Sequence, residues 1–219
     1  MKKTLLIAGC GDISLRVAPL LQTHYRILGL YRNLDSAENL RLHGIIPIYG
    51  NLDLPESLEK LAGISQLVLY LAPPPNQGLY DRRTAHLLSA LTRRTKKYAA
   101  ILPQRLIYIS TSGVYGDCHG ALIDETHPVH PESSRAIRRI DAERQIRNWG
   151  KRNHVSVSIL RVPGIYAASR LPLTRLREGH PTLLDDEDSY TNHIHADDLA
   201  RIICAALQHA KTCRIYHAC

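Results

Sequence analysis

Six short, almost continuously apolar runs, at 4–8, 26–30, 45–49, 67–72, 105–110 and 155–160, alternate with stretches that read as helices at 13–22, 36–43, 55–61, 80–98 and 131–149. Apolar residues on both parities of a short run suit a strand buried on both faces. Strands separated by helices must lie parallel, joined by right-handed crossovers. The expected fold class is therefore α/β, a doubly wound parallel sheet. A last helix over 197–209 and a short run at 214–217 follow, and no repeat or low-complexity linker interrupts the pattern. With 219 residues the chain has room for one domain, 1–219, in which 162–219 contribute the substrate side. The longest irregular segments, Pro73-Pro74-Pro75 and 117–131, both follow strands. That places them at the carboxyl edge, where such sheets bind ligands.

The first strand runs straight into Gly9-Cys10-Gly11-Asp12-Ile13-Ser14, a G-x-G-x-x-S pattern at the opening of the first helix. Gly9 permits the tight turn, Gly11 lets backbone approach a pyrophosphate, and Ser14 is small where helix and strand pack. The helix start then faces the phosphates. In a chain built of strand–helix–strand units this pattern points to dinucleotide binding. The second strand ends Leu30-Tyr31-Arg32-Asn33, with no acidic residue to take a ribose 2′-hydroxyl. Arg32 offers a planar fork to a 2′-phosphate, so NADP is expected over NAD. A solvated strand end is the plainer account of Arg32.

Charge agrees with an anionic ligand: 28 Lys and Arg against 20 Asp and Glu give +8. No apolar run approaches the roughly 18 residues of a membrane span, so no membrane partner is expected. The start, Met1-Lys2-Lys3 followed by apolar residues, mimics a signal peptide, but Gly9 to Asp12 cut the apolar stretch short. The expected location is cytoplasmic. Five cysteines without a C-x-x-C pair fit reduced thiols better than a disulfide frame.

Further along come Ser110-Thr111-Ser112-Gly113-Val114-Tyr115-Gly116-Asp117, then Asp124-Glu125, then Arg161-Val162-Pro163-Gly164-Ile165-Tyr166, then His193-Ile194-His195-Ala196-Asp197-Asp198-Leu199. This ordered set resembles the NAD-dependent epimerase/dehydratase family, the extended and atypical short-chain dehydrogenases with a Rossmann fold, and within it an atypical, YeeZ-like subgroup. The resemblance implies that Gly9, Gly11, Asp12 and Ile13 line the pyrophosphate, Arg32 the adenosine 2′ position, and Asn51 with Leu52 the adenine. Asn51 stands where relatives usually have Asp. Leu71, Ala72 and Pro73 would run beside the ribose and nicotinamide, Ser110 and Thr111 would face nicotinamide and substrate, and Pro163 with Gly164 would pass near the carboxamide. Thr111 fills the place of a hydroxyl that polarises a substrate carbonyl. The activity implied is hydride transfer on a small carbonyl or nucleotide-sugar substrate.

One departure stands out. Relatives carry Y-x-x-x-K on the helix after the fifth strand, a phenol and an ammonium on one face. Counting back from Glu143, a residue type common just beyond that lysine, the two positions are Arg135 and Arg139. A guanidinium is a poor proton donor and no base, although it binds phosphate or ribose well. Tyr115, four residues after Thr111, is the nearest phenol in sequence and the first alternative proton donor, with Tyr80, Tyr190, His193 and His195 behind it. A non-catalytic NADP-binding sensor or scaffold is the alternative function. His193, His195 and Asp197 invite a metal reading, but an aspartate capping the following helix explains them better, so no metal is expected. Seven basic residues between Arg135 and Arg152 read mainly as a solvated helix face. A second cluster, Arg82, Arg83, Arg93, Arg94, Lys96 and Lys97, comes without base-reading or stacking groups, so nucleic acid is not an expected partner. Relatives usually continue past the last short strand into a lobe that closes over substrate. A short C-terminal lobe is therefore expected here, open unless a second copy in a homodimer covers it.

Overall fold

A computed structural model describes residues 2–94, 100–171, 173–180 and 190–219. Seven parallel strands form one sheet: β1 (Lys3–Ala8), β2 (Tyr25–Tyr31), β3 (Ile46–Tyr49), β4 (Leu67–Tyr70), β5 (Arg105–Thr111), β6 (Ser156–Val162) and, last in the chain, β9 (Arg214–His217). Their order is β3-β2-β1-β4-β5-β6-β9, so the doubly wound expectation holds. The strand order reverses direction between β1 and β4, and the crevice beyond their carboxyl ends is where this architecture receives ligands.

Alternation along the strands feeds two cores. Leu5 and Ile7 of β1 join one with helices α1 (Asp12–Leu21) and α6 (Ala196–His209); Leu6 and Ala8 join the other with α3 (Arg82–Leu91) and α4 (Ser134–Asn153). A helix α2 (Ser36–Leu42) follows β2, and a short α5 (Leu173–Arg177) lies near the end of the chain. A separate pair, β7 (Gly164–Tyr166) and β8 (His193–His195), also runs parallel.

Element ends depart from the expected ones for local reasons. The run at 67–72 leaves the sheet after Tyr70 because the amides of Leu71 and Ala72 both turn to the Ala8 carbonyl. Residues 55–61 form a 3-10 turn with Pro at its start. Helix α3 begins at Arg82, because the Asp81 carboxylate accepts the Thr84 amide as a cap. The expected helix over 80–98 ends at Leu91, and 95–99 lie outside the described residues. Ser133 caps α4 through the Ala136 amide, and His154 closes it in the left-handed conformation at φ 55°.

Under the carboxyl end of β5 lies a buried ion pair. Glu143 of α4 accepts from Nε (3.2 Å) and Nη2 (2.8 Å) of Arg161 on β6, and also from the Ser110 hydroxyl. Both charged side chains are 5% exposed. Breaking such a pair from one side strands a charge at a cost of about 3–5 kcal/mol, whereas replacing both with apolar residues is often nearly neutral. Arg161→Met is therefore expected to lower stability by roughly that amount, and Arg161→Met with Glu143→Leu to recover most of it. Urea unfolding of the three proteins checks this; a single variant with unchanged stability refutes it.

Candidate cofactor and substrate cleft

The cleft opens at the end of β1. Gly9 has φ +109°, and a Cβ there would come within 2.3 Å of the Ala72 amide nitrogen. Only glycine fits, because the backbone after β4 crosses directly above it. Gly11 is the opposite case: a Cβ would meet nothing within 4 Å, since the residue faces open space at the start of α1. The first amides of α1 have no intrahelical acceptors and point the positive end of the helix into that space. Ser14 is fully buried, its hydroxyl donating to the Gly11 carbonyl.

Two chambers meet at this turn and share Gly9, Cys10 and Pro73. One is walled by Arg32, Asn33, Ser36, Asn51, Leu52, Ala72 and Arg83. The other is walled by Gly11, Asp12, Ile13, Leu71, Ser110, Thr111 and Pro163, with Arg135, Arg139 and Arg170. The structure thus brings together thirteen of the fifteen site residues expected from sequence: Gly9, Gly11, Asp12, Ile13, Arg32, Asn51, Leu52, Leu71, Ala72, Pro73, Ser110, Thr111 and Pro163. An elongated cleft with an open glycine cradle at its middle fits a dinucleotide.

Gly164 and Tyr115 are not among the residues lining it. Gly164 opens β7 with its Cβ direction filled by the His193 ring. The 3-10 turn Ser112–Val114 carries Tyr115 away from the cleft into a buried position. There its hydroxyl accepts from Arg161 Nη1 (2.7 Å) and lies 2.6 Å from Nε2 of His217 on β9. Burial also raises the phenol pKa above its ordinary value. Tyr115, the first alternative proton donor expected from sequence, is thus engaged by Arg161 and His217 outside both chambers. Tyr80 and Tyr190 are exposed and line neither chamber.

Two cleft arginines escaped sequence reasoning. Arg83, expected in a basic surface cluster, turns inward. Its Nε and Nη2 grip both oxygens of Asp53 at 2.7 Å, and Nη1 donates to the carbonyls of Pro73 and Pro74. The Arg83 bond holds the Asp53 carboxyl below its usual range, and Arg32, at 3.8 Å, adds to that. Arg170, on the turn after β7, pairs with Asp12 at 3.1 Å, as does Arg16 at 3.0 Å. The Asp12 carboxylate beside the glycine turn is thus matched by two guanidinia. Of the other residues in the surface cluster, Arg93 pairs with Glu59, while Lys96 and Lys97 lie outside the described residues.

Most of the seven basic residues on α4 are exposed as expected, but Arg138 and Arg139 are buried. His195 itself, not Asp197 or Asp198, caps α6, its Nδ1 accepting the Asp197 amide, while Asp197 bonds Arg16. His193 and His195 flank the Tyr166 ring. No group of three metal-ligating side chains occurs among the described residues, and none of the described helices is long and apolar enough to cross a membrane. All five cysteines are free.

Burial pushes the Cys10 thiol, at the junction of the chambers, up to about 12. It is neutral at physiological pH and no nucleophile. Iodoacetamide at pH 8 is expected to label the exposed Cys213 and Cys219 and spare Cys10, as read by peptide mass mapping; equal labelling would contradict the neutral thiol.

A family model described as the NAD dependent epimerase/dehydratase family matches residues 14–219. Protein YeeZ of Escherichia coli strain K12 is 27% identical over 224 residues, covering 99% of this chain and 77% of YeeZ. A functionally unknown conserved protein from Silicibacter pomeroyi superposes with a TM-score of 0.77 at 26% identity, over 99% of this chain and 72% of that one. UDP-glucuronic acid 4-epimerase from Bacillus cereus, solved in complex with NAD, superposes with a TM-score of 0.79 at 21% identity, over 98% and 77% of the two chains.

Proposed function

Because this chain belongs to the NAD dependent epimerase/dehydratase family, we propose that it binds a nicotinamide dinucleotide, NADP in preference to NAD, and works as an oxidoreductase on a small carbonyl or nucleotide-sugar substrate. The observation that carries the reading is the continuous two-chambered cleft, running from Arg32 past the glycine turn to Thr111. The Gly11 backbone and the first amides of α1 hold the pyrophosphate. Arg32, 66% exposed and only loosely paired with Asp53, is available to a 2′-phosphate. Asn51 and Leu52 border the adenine. Leu71, Ala72 and Pro73 run beside the ribose and nicotinamide, and Pro163 supports the carboxamide side.

The nicotinamide, when bound, supplies or accepts a hydride. The rest of the chemistry falls to the chain. The Thr111 hydroxyl oxygen accepts the Gly113 amide at 3.2 Å, which leaves its proton free to donate to a substrate carbonyl oxygen. Ser110 has no such freedom, since its hydroxyl is committed to Glu143. Ser110 therefore positions the strand end, while Thr111 touches the substrate.

A second reading has its own support. Among the described residues no phenol or ammonium lines the Thr111 chamber; its ionisable groups are the neutral Cys10 thiol, the ion-paired Asp12 and three guanidinia. A protein that holds NADP as a sensor or scaffold without turnover needs no proton donor.

Calorimetric titration with NADPH and NADH separately, wild type beside Arg32→Ala, tests the cofactor. Micromolar NADPH binding is expected, with the preference over NADH reduced about tenfold or more in the variant, the equivalent of one lost charge-assisted contact. Binding of neither cofactor overturns the reading. NADPH oxidation across a panel of aldehydes, ketones and nucleotide sugars then separates the two readings: turnover abolished by Thr111→Val favours the oxidoreductase, and cofactor binding without turnover on any of them favours the sensor.

A further inference from the structure

Two guanidinia in the Thr111 chamber have no role in the cofactor scheme. Arg139 is only 6% exposed, yet its Nη1 reaches neutral acceptors alone, the Tyr108 hydroxyl at 2.9 Å and the Ile109 carbonyl at 2.8 Å. Its Nε is buried without any hydrogen-bond partner. Among the described residues it forms no ion pair. Asp81, the carboxylate that feels its charge, is itself bonded by the amide and hydroxyl of Thr84. A buried cation in this condition is destabilising until an anion completes it. One turn earlier, Arg135 lies on the same helix face, lines the same chamber and is exposed. Among the described residues it too has no ion pair and no side-chain hydrogen bond.

We propose that Arg135 and Arg139 form the binding site for a carboxylate or phosphate group on the substrate, beside Thr111. The inference rests on the dinucleotide reading, in which the pyrophosphate is taken by the glycine turn and the start of α1 while Arg170 is paired with Asp12, leaving these two arginines for a second ligand. Arg139 is held in place by its two neutral bonds and by the Tyr108 ring, 5.5 Å below its guanidinium carbon. Its guanidinium is therefore held in a fixed orientation at the wall of the chamber, at little entropic cost on binding. Arg135, exposed one turn earlier on the same helix, completes the clasp. A substrate held so is an oxo acid or a phosphorylated carbonyl compound rather than a neutral aldehyde or ketone.

The test uses oxalate and inorganic phosphate as probes, each titrated by calorimetry into NADPH-saturated protein, wild type, Arg135→Gln, Arg139→Met and Arg139→Lys. One probe per chain is expected to bind wild type, with affinity falling at least tenfold in Arg135→Gln and Arg139→Met and partly restored in Arg139→Lys, while NADPH affinity stays within threefold. The preferred probe identifies the group as carboxylate or phosphate. Arg135 is exposed, so Arg135→Gln decides the matter even where Arg139→Met fails to fold. Failure of both probes to bind wild type overturns the proposal, as does an Arg135→Gln variant that loses NADPH as strongly as it loses the anion. If NADPH itself does not bind, the dinucleotide reading fails by itself; the same probes are then titrated into cofactor-free protein, where binding lost in Arg135→Gln sustains the anion site and no binding overturns it.

Discussion

The Ala8 carbonyl at the end of β1 accepts two amides, those of Leu71 and Ala72, at 2.8 and 3.0 Å. That double bond of hydrogen bonds ties the two central strands together at the point where the sheet reverses its order. It draws the backbones so close that residue 9 has no space for a Cβ. From there the chain has two exits: Cys10 and Gly11 turn outward to begin α1, and Pro73 leads away on the other side. The space between them is the cleft. Its position follows from topology and one glycine, before any ligand-binding side chain is considered.

The side chains around it are set by charge. Asp53 grips Arg83, which in turn holds the carbonyls of Pro73 and Pro74, so three separate segments are fixed around one guanidinium. Asp12 does the same with Arg16 and Arg170, and Arg16 continues to Asp197 on α6. Half-exposed pairs of this kind contribute little to stability. Their effect is geometric: they fix the walls of both chambers relative to the glycine turn. Glu143 and Arg161, buried beneath β5, contribute in another way, by anchoring the strand end that presents Thr111.

This division explains what could be read from the sequence. The strands, the G-x-G turn and the residues at strand ends were legible because each depends on local periodicity, or on a position fixed by the sheet. Arg83 and Arg170 were not, since each is turned inward by a carboxylate 30 or more positions away. Charge runs on a helix look alike in sequence whether they face water or a cleft. The placement of Tyr115 was hidden for a related reason. Four residues from Thr111 is near in sequence, but a single 3-10 turn between them sends the ring toward β9. Nearness along the chain fixes distance, not direction.

Arg135 and Arg139 line the Thr111 end of the cleft, and their chemistry limits what that end can do. A phenol and an ammonium move a proton; two guanidinia cannot, because neither gives up its charge near neutrality. They can stabilise negative charge that is already present, or that develops on an oxygen between them and Thr111. On the proposed reading, Thr111 would hold the carbonyl oxygen through its hydrogen bond while the two arginines would hold the anionic group that the substrate already carries. On this account the net charge of +8 is not simply a surface property. Part of it is placed inside the cleft, where the dielectric is lower and the same charge attracts an anion more strongly. Turnover without a phenol and tight binding without turnover then differ only in whether a reducible carbonyl accompanies the bound anion.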